Sequence, residues 1–111
     1  MGLKIKGVPF SVTSWSSVPR VSQAGESGTS FARTRMAGNL RLRMVEYSAG
    51  YRADHWCSRG HILLILKGEL RVELEGRKTR VLRRGDSYHV SDGASRHRSA
   101  TRLGAQLFIV D

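Results

Sequence analysis

The sequence predicts an all-β domain, a sandwich or barrel, with an extended arm in front of it. Three observations carry this. Seven glycines, Gly50, Gly60, Gly68, Gly76, Gly85, Gly93 and Gly104, fall at intervals of 8 to 11 residues, the spacing of turns between short strands. Between two of them, Glu69-Leu70-Arg71-Val72-Glu73-Leu74-Glu75 alternates with period 2, as a strand with one buried face does. No segment carries apolar residues at i, i+3, i+4 and i+7 for three turns, so no substantial helix is expected.

The elements follow in order. Residues 1–29 are Ser-rich and aperiodic, with Pro9 and Pro19. They read as an extended arm that packs on the barrel of residues 30–111 through Val8, Phe10, Val12 and Trp15. Residues 31–36 and 40–48 read as strands joined by a hairpin at Ala37-Gly38-Asn39, because Gly-Asn supplies the positive φ that a tight turn needs. Residues 62–66, Ile-Leu-Leu-Ile-Leu, form an unbroken apolar run suited to a strand buried on both faces. Residues 69–75 follow, then a turn at Glu75-Gly76-Arg77, a strand over 78–82 and a tight turn at Arg83-Arg84-Gly85-Asp86. Strands over 87–90, 97–101 and 105–110 complete the chain. Closing such a sheet removes the exposed edges that many short strands would otherwise present.

The 111 residues allow one hydrophobic core and exclude a multidomain enzyme. The longest aliphatic run is five residues, against the roughly 20 of a membrane-spanning helix. Met1–Gly7 has no apolar stretch of the length a secretory signal needs, and a single Cys cannot found a disulfide scaffold. The expected compartment is therefore cytoplasmic. Nineteen Lys+Arg oppose nine Asp+Glu for a net charge of +10, and 15 of the nineteen are Arg. Scattered from Arg20 to Arg102 and not interleaved with aromatics, they argue against a nucleic-acid interface. In Leu40-Arg41-Leu42-Arg43 and Leu70-Arg71-Val72 they are expected on the solvated face of strands.

Four soft donors stand at informative spacing: His55, Cys57, His61 and His97. In a strand, His55 and Cys57 project from one face, while Asp54 faces away. Ser58-Arg59-Gly60 lets the chain turn to present His61. Imidazole and thiolate suit Zn²⁺, Fe²⁺, Ni²⁺ or copper and do not suit Mg²⁺ or Ca²⁺. The spacing is equally compatible with Cys57 as a small buried apolar group and the histidines as ordinary strand and turn residues. His89, with no partner at ligand spacing, reads as structural.

Gly50-Tyr51-Arg52-Ala53-Asp54-His55-Trp56-Cys57-Ser58-Arg59-Gly60-His61, with Gly68 six residues on, resembles the first motif of the cupins: Gly, His-x-His, Glu, Gly. His55 takes the first His, Cys57 the second and His61 the Glu. Gly85-Asp86, Ser91-Asp92-Gly93 and His97 are similar to the second motif, without its Pro and Asn. Across essentially the whole chain, the likeness is to small single-domain cupins named for an Asp-His-Cys-Trp motif. It implies a jelly-roll β-barrel, usually a homodimer, with one metal held by His55, Cys57, His61 and His97. Zn²⁺ comes first among the candidates, since four such donors complete its tetrahedral shell.

Two functions follow. One is a metal-dependent enzyme acting on a small molecule held in the barrel, with no catalytic or substrate-binding residue identified; Glu46 and Asp54 are only near the donors in sequence. The other is a non-enzymatic metal or redox sensor, or a small-ligand binding module, working through the Cys57 thiolate. A nucleic-acid or anion-binding accessory role driven by the +10 charge ranks third.

Overall fold

The computed structural model describes residues 4–76 and 78–111. The expected turn residue Arg77 and the first three residues lie outside that range. Eight strands form the chain: β1 (Val21–Ala24), β2 (Thr29–Ala37), β3 (Leu40–Tyr47), β4 (His61–Leu74), β5 (Lys78–Arg83), β6 (Ser87–Val90), β7 (His97–Ala100) and β8 (Ala105–Val110), with one 3-10 turn at Trp15–Ser17. All pairings are antiparallel. The result is an all-β jelly-roll barrel.

Two residues make the β2–β3 hairpin. Ala37 pairs with Leu40, so Gly38-Asn39 is the whole loop, and Gly38 sits at φ 58°. The Asn39 side chain then anchors the arm: it accepts from the Lys6 backbone at 3.0 Å and donates to the Lys4 carbonyl at 3.1 Å.

The predicted strands over 62–66 and 69–75 are one 14-residue strand, β4, which serves both sheets. Its first half pairs with β6 and β8; its second half pairs with β5 and β7. The β8 register slips between Ile65 and Lys67, and the corner follows at Gly68, at φ 80°, where the backbone of Gly104 lies so near that no Cβ fits. A glycine there lets one strand turn from one sheet into the other.

The core lies between the sheets: Val45, Leu63, Ile65, Leu70, Val72, Leu82, Ala105, Leu107 and Ile109. The run 62–66 is not buried on both faces. Leu63 and Ile65 are inside, whereas Ile62 is 51% and Leu64 37% exposed. Its uniform apolarity hides an ordinary alternation of buried and exposed positions. The arm also departs from expectation. Trp15 meets Phe108 edge-on at 6.1 Å and Val8 is half-buried, but Phe10 and Val12 remain exposed. Residues 21–24 of the arm are themselves a strand.

Candidate metal centre and its cavity

Residues 53–60 are not a strand; within them only Cys57 makes a ladder contact, bridging His97. Each backbone N–H of that pair donates to the other's carbonyl, at 2.8 and 2.9 Å. Partners that exchange both bonds carry their side chains on the same face of the sheet, and both face a cavity of about 420 Å³ in the barrel. Trp56 lies half-buried with the Arg98 guanidinium 4.8 Å from its ring centre.

His61 begins β4 and lines the same cavity, its ring centre 4.8 Å from that of His97. Each imidazole has one nitrogen engaged and one bare. His97, 3% exposed, donates Nδ1–H to the Ser95 carbonyl at 3.0 Å, which leaves the Nε2 lone pair buried without a partner. His61 Nε2 shares a 2.7 Å hydrogen bond with the Tyr88 hydroxyl, and His61 Nδ1 is buried without a partner. Burial, with His97 alongside, pushes the His61 pKa down to about 4, so the ring is neutral at pH 7. Burial likewise holds the Tyr88 hydroxyl well above its ordinary range, protonated.

His55 stands apart. Its side chain is 71% exposed at the rim of the cavity, and Nδ1 is 2.7 Å from the Asp54 carboxylate. The strand expected to carry the pincer of His55 and Cys57 is absent, although both residues line the cavity, and Asp54 faces His55 rather than away from it. Both expectations assumed strand parity where the backbone bends. Among the described residues, no three His, Cys, Asp or Glu side chains already stand together as a metal-holding group. His61, His97 and Cys57 share the cavity; His55 borders it. His89 is exposed on β6 and takes no part in this cluster.

The arginines of β3 are the largest correction. Arg41 and Arg43 do not lie on a solvated face: with Val45 and Tyr47 they point into the barrel and line the cavity. Leu42 and Met44 take the outer face. Both arginines meet Asp111, whose side chain is 1% exposed. Arg41 donates Nε–H and Nη2–H to its two carboxylate oxygens, each at 2.8 Å, and Arg43 adds Nη2–H at 3.1 Å. Burial by itself would raise the Asp111 carboxyl, but these bonds and charges outweigh it and hold it below its ordinary value. Arg71, by contrast, is exposed as predicted.

Tyr88, Arg41, Arg43 and Asp111 were missed as cavity residues. Only the parity of Tyr88 with Val90 hinted at one of them. A second cavity, of about 620 Å³, opens between β5 and β6 beside Leu74, Leu82 and Val90, and shares Tyr88 and His97 with the first.

The fold is that of the cupins. A predicted oxalate decarboxylase from Thermotoga maritima superposes with TM-score 0.77 at 15% identity, over 90% of this chain and 96% of its own. An ectoine synthase from P. lautus gives 0.72 at 15% identity, over 91% and 76%. A cupin-like protein from Thermotoga maritima gives 0.64 at 20% identity, over 76% and 68%. No protein-family model and no curated protein matches the chain. Among the described residues no helix is long and apolar enough to cross a membrane.

Proposed function

We propose that this cupin-fold protein binds one divalent transition metal ion and acts on a small molecule in the barrel. His61 and His97 are the primary donors, Cys57 the third and His55 the fourth, closing from the rim; Zn²⁺ is the first candidate. The observation that carries this is the pair of unpartnered ring nitrogens, His61 Nδ1 and His97 Nε2, buried in one cavity. An unsatisfied buried polar atom costs about 1–3 kcal/mol, and a metal ion would satisfy both at once. The engaged nitrogens fit the same reading, since a ligating histidine ordinarily has its other nitrogen held by a second group; here Ser95 and Tyr88 do so. When bound, such an ion supplies Lewis-acid polarisation of a ligand oxygen. The likeness to the Asp-His-Cys-Trp cupins agrees with this donor set, although residues 54–57 here run Asp-His-Trp-Cys. Two of the structural neighbours are named as an ectoine synthase and a predicted oxalate decarboxylase, which supports the enzymatic form of the proposal.

A second reading, a metal or redox sensor, is favoured by one observation. Cys57 is the chain's sole thiol and lines the cavity, whereas the one carboxylate there, Asp111, is committed to two arginines. Oxidation of the thiol would release a ligand.

Elemental analysis of protein purified without added metal tests the proposal. Near one equivalent of a transition metal is expected, with a fall in Tm on chelation. Metal-free protein whose melting is indifferent to chelator and to added Zn²⁺ or Fe²⁺ would overturn it. Substrate-independent loss of metal on mild peroxide treatment would select the sensor over the enzyme.

A further inference from the structure

The metal donors occupy one part of the cavity; another part is cationic. Arg41, Arg43, Arg59 and Arg98 line it, and the only acidic side chain in the lining is Asp111. Arg98 is committed to Glu73 at 2.8 Å, and Asp54, outside the lining, to His55. Three guanidiniums therefore face one carboxylate. Arg41 takes both Asp111 oxygens in a fork, so Arg43 keeps a single contact, and its Nε–H is buried with no partner. The Arg43 side chain is 23% exposed and lines the cavity, so contact with a ligand falls on the unsealed part of its guanidinium.

We propose that the cavity binds an anionic group, carboxylate or phosphate, on the Arg43 guanidinium with Arg59 at the rim, and that the ligand of this protein is a small organic acid or phosphate ester. Three features support it together. The Arg43 guanidinium has five N–H donors and spends one on Asp111. A guanidinium edge matches two oxygens of a carboxylate or phosphate, which no ammonium does. An uncompensated charge excess in a low-dielectric cleft concentrates anions there. The inference builds on the cavity named above as the ligand site, but it does not require the metal.

The test is calorimetric titration of chelator-treated protein with succinate, benzoate and inorganic phosphate, in a buffer free of other small carboxylates and phosphate. Saturable binding by the wild type is expected. Arg43→Gln should weaken it at least about tenfold, the loss of one well-formed charged contact. Arg43→Lys keeps the charge beside Asp111 but lacks the guanidinium edge, and should also fail to restore affinity; it carries the test if Arg43→Gln does not fold. The outward-facing Arg71→Gln should change affinity less than about twofold. Preference for succinate and benzoate over phosphate assigns an organic acid, and the reverse a phosphate ester. Absence of binding by all three anions, equal affinity in Arg43→Gln and wild type, or an equal loss in Arg71→Gln would each overturn the proposal. Metal content measured on the same preparations before chelator treatment separates the two readings: a protein purified without metal, and unable to take up added Zn²⁺ or Fe²⁺, that still binds the anion through Arg43 refutes the metal centre only.

Discussion

Cys57 and His97, 40 residues apart in the chain, are directly opposed across a two-bond backbone bridge, each N–H donating to the other's carbonyl at 2.8 and 2.9 Å. The bridge belongs to the backbone, so it survives replacement of either side chain. The thiol can therefore be removed without dismantling the wall of the cavity.

Cys57→Ser should lower affinity for a soft ion such as Zn²⁺ at least about tenfold and change stability by less than about 1 kcal/mol, since the thiol is only half-buried. Competition with a chromophoric chelator and urea denaturation measure the two quantities. Equal metal affinity in mutant and parent would remove Cys57 from the donor set.

Tyr88→Phe removes the hydroxyl that meets His61 Nε2 at 2.7 Å. A stability loss of about 1 kcal/mol is expected. Metal affinity should fall about 10- to 100-fold, as it does when the group orienting a ligating histidine is lost. A loss of stability with unchanged metal affinity would show that Tyr88 only packs.

Asp111→Asn leaves Arg41 and Arg43 half-buried and uncompensated, and should cost about 3–5 kcal/mol. The effect has a pH signature with a definite sign. The folded-state pKa lies below the ordinary 3.8, so the unfolded chain binds the proton more readily and the carboxylate's contribution is complete above about pH 5. It drains away as pH falls below 4 through the folded value. The gap in Tm between wild type and Asp111→Asn should shrink over that interval and stay constant between pH 6 and 8. A gap that widens in acid would refute the assignment.

Gly68→Ala places a side chain at φ 80° against the backbone of Gly104. The strain of the left-handed conformation alone is about 1–2 kcal/mol, and the steric conflict adds to it. A loss of at least about 2 kcal/mol, or failure to fold, is expected by thermal denaturation. Gly76→Ala has open space at φ 91° and should cost only the conformational part.

What the sequence alone determined is local. Strand-like runs between turn residues placed β2, β3, β5 and β8 within a residue or two, and glycine placed the turns, because extended runs and positive φ are properties of short segments. It also named the donors, since imidazole and thiolate are identities rather than positions. What only the tertiary structure decided is which residues face inward together. In Leu40-Arg41-Leu42-Arg43 both faces are plausible interiors, and the choice is made by Val45 and Tyr47 entering the core on the same parity. Arg41 meets Asp111 across 70 residues and His61 meets Tyr88 across 27. Those meetings depend on the register of β3 on β8 and of β4 on β6, which is set by burying one face of every strand at once. No segment read by itself contains that condition.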